Sequence, residues 1–270
     1  MSNIVSNKSH WEKRGSRTFY YKGVEYYTIT PIPFYIKRRS TLLNLVKPYF
    51  NKPDIRHVCD FGCGDGWYLN YFSNLLENNI KWTGVDISSS MIERAAKINH
   101  DCNCRFICSG EGIDTENNFD LIYSFAVLAH IIDNDKLEKI LESVSKHLNS
   151  SGRYVIFEQV APYNYKGNNF NRRTIQEYIK LGDSAGLKTE KIILLSFTAH
   201  RFFERYIAKF WYKHLSEGVN ECDRRLNANR SFIFRLMSSF FLNFSFNPIR
   251  ENAESGWGNV LLIFNKSNNA

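Results

Sequence analysis

The strongest chemical signal is the run Val58-Cys59-Asp60-Phe61-Gly62-Cys63-Gly64-Asp65-Gly66, which follows a short apolar stretch and precedes a helical one. Glycines at alternate positions let the backbone turn sharply and approach a ligand closely. In doubly wound sheets such a strand-to-helix turn is where nucleotides bind. The dinucleotide pattern G-x-G-x-x-G would need a third small residue at Trp67, counting from Gly62, or at Leu69, counting from Gly64. Neither permits close packing of helix on strand, which argues against a nicotinamide dinucleotide. A second signal follows in Thr83-Gly84-Val85-Asp86-Ile87-Ser88, with an acidic residue closing the next predicted strand. A carboxylate placed there can accept both ribose hydroxyls of an adenosine. The alternative role for Asp86 is to cap the helix that starts near Ser88.

At these residues the chain resembles the class I S-adenosylmethionine-dependent methyltransferase family. The resemblance covers about residues 55–160 well and the later strands more loosely. Asp60-Phe61-Gly62-Cys63-Gly64-Asp65-Gly66 matches the family's first motif, and Asp86 its ribose-binding acid. Ser109-Gly110-Glu111-Gly112-Ile113 is similar to the segment whose acid meets the adenine amine, with Glu111 preferred over Asp114. Asn118-Phe119-Asp120-Leu121-Ile122-Tyr123-Ser124 resembles the fourth strand, beside the methionine part of the cofactor, and Val127-Leu128-Ala129-His130-Ile131 continues that match. Ser150-Ser151-Gly152-Arg153-Tyr154 resembles the turn into the fifth strand.

The resemblance implies S-adenosyl-L-methionine as cofactor, held by Asp60, Gly62, Cys63, Gly64, Gly66, Asp86, Ile87, Met91, Glu111, Gly112, Ser124 and Phe125. It also implies in-line transfer of a methyl group to a nucleophile. An oxygen nucleophile needs a base near its proton. His130, which follows the strand ending near the methyl donor, and Glu158, at the end of the fifth strand, are the candidates; for His130 a structural hydrogen bond is the competing role. His10, His200 and His214 lie in the flanks and are expected to face solvent.

The elements that must position these residues alternate. Strands are expected at 55–59, 81–85, 105–108, 121–124, 153–157, 187–197 and 259–264, and helices at 36–50, from the glycine turn to about Glu77, and at 89–98, 134–148 and 174–185. Leu137, Ile140, Leu141, Val144 and Leu148 share one face of the helix after His130. This predicts an α/β fold, a Rossmann-like, mostly parallel sheet with helices on both faces. The resemblance sets seven strands with the last antiparallel. The chain reads as one methyltransferase domain over 1–270: an N-terminal cover (1–50), a cofactor-binding core (51–197), a helical insertion serving as acceptor cap (198–250) and a last strand (251–270). Pro31 and Pro33 are expected to interrupt regular structure in the aromatic N-terminal cover.

The net charge is +8, held mostly by the flanks: +8 in residues 1–56 and +5 in 198–250, against −4 in 57–197. Basic flanks favour an anionic partner. Neither a secretory leader nor a bilayer-length apolar run is visible, so a cytoplasmic protein is expected. Six cysteines suit a reducing compartment, and Cys102, Cys104 and Cys108 lack metal-ligand spacing and are expected to be small buried residues. The leading expectation is O-methylation of a small-molecule or glycan acceptor, with no metal. The alternatives are an RNA methyltransferase, for which pI ≈ 9.1 speaks, and a peripheral membrane enzyme with a lipid or quinone acceptor. The aromatic run 231–246 motivates the latter; a packed helix or acceptor wall is its other reading.

Overall fold

The computed structural model describes residues 8–9, 11–12, 19–21, 24–26, 32–76, 79–167, 169–196, 201–218, 221–243 and 249–267. Expectations for His10, His200, Glu77 and Phe197 lie outside the described residues. Strands β1 (Phe19–Tyr21) and β2 (Val24–Tyr26) lead to helix α1 (Ile32–Phe50). Then come β3 (His57–Phe61), α2 (Trp67–Leu75), β4 (Lys81–Asp86), α3 (Ser89–Ile98), β5 (Cys104–Cys108) and β6 (Phe119–Phe125). A single 3-10 turn, Leu128–His130, precedes α4 (Asn134–His147). The chain continues through β7 (Leu148–Val160), β8 (Tyr165–Gly167), β9 (Phe170–Arg172), α5 (Ile175–Ser184) and β10 (Leu187–Leu195). A π-helical segment, Phe203–Ala208, runs into α6 (Lys209–His214), followed by α7 (Glu221–Arg230), α8 (Phe232–Asn243), β11 (Ile249–Glu251) and β12 (Gly258–Lys266).

Two compact units result. The first comprises Met1–Glu12, Val46–Leu195 and Ile249–Ala270; the second comprises Lys13–Leu45 and Ser196–Pro248.

The first unit holds an eight-stranded sheet in the order β11-β10-β12-β7-β6-β3-β4-β5. From β7 to β5 the strands are parallel, and β12 pairs antiparallel with both β7 and β10. The central strands are apolar nearly throughout because both their faces are covered: β3, β4 and β6 bury almost every residue. On one face α4 contributes Leu137, Ile140, Leu141 and Val144 to a cluster with Phe119, Ile122, Ile156 and Leu262. On the other, Phe50 stacks on Phe72 at 3.9 Å and meets Tyr123 at 5.2 Å. The helices start where capping side chains accept backbone N–H groups: Ser88 from Met91, Asp133 from Lys136 and Thr174 from Glu177. Gly186, at φ 76°, follows the end of α5.

In the second unit, Phe34, Phe203, Ala208, Tyr212, Ala228 and Phe234 form a core of their own. Ile32 N, at the start of α1, donates to the buried Asn229 Oδ1 at 3.2 Å. Glu204 accepts from Tyr212 Oη at 3.0 Å and from Arg225 Nη1 at 3.1 Å. Arg235 donates to the carbonyls of Asn229 and Arg230, both at 2.7 Å, closing α7.

Several expectations need correction. The N-terminal segment contains a β-hairpin, with Phe19 paired to Tyr26. Pro33 does not stop α1; it sits in the first turn, where no intrahelical N–H is required. The sheet gains an eighth strand, β11, three exposed residues pairing with the end of β10. So short a strand has no hydrophobic pattern to read. The cysteines near β5 are not buried: Cys108 is exposed and Cys102 and Cys104 are half-buried, since β5 is the sheet's edge. Cys102 and Cys104 face each other across one residue, with Cα atoms 5.2 Å apart.

Candidate functional site

The sheet reverses its winding direction at β3, whose neighbours are β4 on one side and β6 on the other. Ligands bind outside the carboxyl ends of strands at such a point. The glycine turn leaves β3 there. Gly62, Gly64 and Gly66 have φ of 79°, 54° and 74°, conformations that side chains resist. Gly62 has a second reason to be glycine: a Cβ would lie 2.3 Å from Val127 Cγ2. The turn is tied to β4, with Gly62 N and Cys63 N donating to Val85 O at 2.7 and 3.0 Å.

Asp86 closes β4 and holds this arrangement. Its Oδ2 accepts from Gly64 N and its Oδ1 from Ser88 N, both at 2.9 Å. Each oxygen keeps a second lone-pair direction, and the side chain is partly exposed, so a pair of hydroxyls can still be received. The helix-cap role belongs to Ser88, whose Oγ accepts from Met91 N. Desolvation raises the pKa of Asp86, against the backbone N–H groups that favour its charge. Asp60 is buried at the end of β3 beside Tyr123 of β6. Burial drives its pKa up to about 8, with Tyr123 opposing and the charges of Asp86 and Asp65 adding to the rise. Asp60 Oδ2 has no hydrogen-bond partner among the described residues. Such an atom costs about 1–3 kcal/mol unless a ligand or water donates to it. S-adenosylmethionine carries an ammonium and a sulfonium, so three carboxylates around a glycine turn fit that cation.

The remaining residues assigned to the cofactor are distributed unevenly. Cys63 is buried and its thiol pKa is pushed up by desolvation, so it acts as filling under the turn. Ile87 is partly exposed beyond Asp86, and Met91 is buried in the first turns of α3. Ser109 N donates to Asp86 O at 2.9 Å, which brings the loop after β5 to the site. Glu111 is exposed on that loop, as is Asp114, and Gly112 has φ 132° with the Ser143 side chain 2.7 Å from where its Cβ would lie. Ser124 turns inside the sheet, its hydroxyl 2.8 Å from Tyr154 Oη. Only its backbone is therefore available at the strand end. Phe125 packs against Tyr68 at 5.1 Å.

Beyond β6 the chain turns at Ala126, whose φ of 60° is unusual for a residue with a side chain. Backbone outliers of this kind concentrate at functional sites. Glu158, at 0% exposure, secures the turn: Oε1 accepts from Val127 N and Leu128 N at 2.7 and 2.6 Å, and Oε2 from Ala129 N at 3.3 Å. Desolvation pushes its pKa up to about 7, opposed by those N–H groups and by Arg173. Arg173, also fully buried, donates to the carbonyls of Leu128 and Ile131 at 3.1 and 2.7 Å. This turn carries His130. The ring's Nδ1 lies 3.0 Å from Asn169 O, and Trp11 meets the ring edge-on at 4.8 Å. A carbonyl only accepts, so this contact fixes the neutral ring's proton on Nδ1 and its lone pair on Nε2. Glu12, next to Trp11, accepts from Ser89 N at 3.0 Å and from the Ser90 hydroxyl at the start of α3. Neither Trp11, Glu12 nor Arg173 was legible as a site residue, because each arrives by a long-range contact without a local motif.

Residues 58–152 match the family model described as a methyltransferase domain. A malonyl-[acyl-carrier protein] O-methyltransferase of Bacillus cereus is 26% identical over 117 residues, 43% of this chain and 42% of that protein. A carboxy-S-adenosyl-L-methionine synthase of Staphylococcus epidermidis is 27% identical over 129 residues, 48% of this chain and 55% of that protein. The chain thus spans about half the length of the curated relatives it matches. Among solved structures, the O-methyltransferase from a trans-AT PKS multienzyme of Brevibacillus brevis, in complex with S-adenosyl-L-homocysteine, shares the fold. The TM-score is 0.61 at 19% identity, over 88% of this chain and 78% of that one. Taken with the glycine turn and Asp86, the match over residues 58–152 makes that stretch similar to a methyltransferase domain, carried on a fold shared with the O-methyltransferase structure.

Proposed function

We propose that this chain binds S-adenosylmethionine between the β3 turn and Asp86 and methylates an oxygen of a small-molecule or glycan acceptor. The observation that carries the donor half is Asp86, a partly exposed carboxylate locked by Gly64 N and Ser88 N at the carboxyl end of β4. Bound there, the cofactor supplies an electrophilic methyl group on sulfur. Gly62, Gly64 and Gly66 keep side chains away from it, and Asp60 complements its positive charge.

The oxygen half rests on His130. With its Nδ1 proton directed at Asn169 O, the ring takes the acceptor hydroxyl's proton at Nε2. The resulting imidazolium keeps its Nδ1–H on the same carbonyl. Glu158 is a positioning residue in this scheme, because its carboxylate is committed to the turn that carries His130. The likeness to O-methyltransferases supports the reading. The second unit, with its aromatic and basic side chains, is the proposed source of acceptor choice.

The test is incubation of the purified chain with methyl-labelled S-adenosylmethionine and an extract of the cells that make it. The products are separated into small metabolites, glycans, lipids and RNA. Label in metabolites or glycans, insensitive to nuclease, supports the proposal. Label in RNA that nuclease abolishes assigns the basic flanks to nucleic acid and rejects it.

A further inference from the structure

The second unit turns an unusual amount of aromatic surface outward. Phe202, Tyr206 and Phe210 follow one another at four-residue spacing and are 52%, 59% and 59% exposed. On α8, Phe232, Leu236 and Phe240 repeat that spacing at 70%, 59% and 60%. The two rows join: Phe202 lies 4.9 Å from Tyr206 and 6.3 Å from Phe241, which lies 6.2 Å from Phe240. Soluble proteins seldom leave so continuous an apolar patch without a use for it.

Charge identifies the use. Arg205, Lys209 and Lys213 form an exposed row beside the aromatic one on the same helical stretch. Glu204, the acid next to Arg205 in the chain, is turned to Tyr212 and Arg225. Helix α8 contains no acidic residue. Aromatic rings flanked by cations on long, flexible stems suit the boundary between acyl chains and anionic headgroups. A second copy of this chain is a poorer partner, since a two-fold contact would bring like-charged rows together. Among the described residues no helix is long and apolar enough to cross a membrane. Contact would therefore be with the surface.

We propose that this face of the second unit docks the protein on an anionic phospholipid surface, with Phe232, Leu236 and Phe240 inserted and Lys209 and Lys213 at the headgroups. The proposal is independent of which acceptor is methylated, and of methyl transfer itself.

It is tested by co-sedimentation of the full chain with vesicles of phosphatidylcholine alone or mixed with phosphatidylglycerol. Binding should be at least about tenfold tighter to the anionic vesicles. It should weaken about tenfold or more in Lys209→Glu/Lys213→Glu, and similarly in Phe232→Ser/Phe240→Ser. These side chains are exposed, so the variants should keep the wild-type circular dichroism and thermal midpoint. Equal binding to neutral vesicles, no binding, or binding unchanged in both variants would overturn the proposal. So would a dimer in sedimentation velocity that the phenylalanine variant dissociates, which would make the patch a contact between copies.

Discussion

The first unit buries its chemistry, whereas the second displays its apolar surface. At the carboxyl ends of β3, β4 and β6, acids and glycines are fixed by backbone hydrogen bonds, and Asp60 and Glu158 are withdrawn from solvent. On the helical segments 201–243, large apolar side chains of the second unit stand exposed beside cations. The contrast separates two tasks. A donor site gains from preorganised partners in a low-dielectric setting. A recognition surface needs accessible area, and its composition can change without disturbing the donor site.

Substitutions that divide the two tasks sharpen this contrast. The largest effect is expected for His130→Ala, which should lower kcat by about 10²–10⁴ if the ring is the base. Affinity for S-adenosylhomocysteine should stay within about twofold by calorimetry. A variant of unchanged kcat would return His130 to a purely structural role. Asp86→Ala should weaken S-adenosylhomocysteine binding about a hundredfold, since it removes both the proposed ribose acceptor and the link from Gly64 N to Ser88 N. An unchanged dissociation constant would mean that the site lies elsewhere.

Gly62→Ala comes next. Its φ of 79° and the 2.3 Å approach to Val127 Cγ2 should cost about 2–3 kcal/mol in urea unfolding. A neutral result would show that the turn is less confined than the geometry indicates.

The smallest effect is a proton. Asp60 has a folded pKa of about 8, well above the roughly 3.9 of an unfolded aspartate. Between those values the folded protein holds more protons than the unfolded one. Ligand-free stability should therefore fall as pH rises through that window. A cationic ligand favours ionised Asp60, so binding at pH 7 should release a fraction of a proton and strengthen as pH approaches 8. Titrations in buffers of different ionisation enthalpy read this release, and Asp60→Asn should remove it.

The same division governs what could be read from the chain. The glycine turn, Asp86 and α3 were legible because their signals are local: glycine spacing and an acid at a strand end. The predicted bounds of α3, residues 89–98, coincide with the helix found. The role of Glu158 was not legible, since its three N–H partners lie about thirty residues earlier. Ser124 shows the reverse problem: the strand was found, but the inward turn of its hydroxyl toward Tyr154 depends on β7. In the second unit the hairpin of β1 and β2 went unread, whereas the expected inserted helices are present as α6, α7 and α8. Hydrophobic content there announced packing; only the structure separates Phe203 and Phe234, which are buried, from Phe202 and Phe232, which are exposed.

The turn at Gly62–Gly66 and Asp86 together form the proposed donor site. Isothermal titration of S-adenosylmethionine into the wild-type chain at pH 7 and 8 reads both its occupancy and the proton on Asp60. One site per chain is expected, with proton release at pH 7 and tighter binding at pH 8. No measurable binding at either pH, with the chain folded, would contradict it.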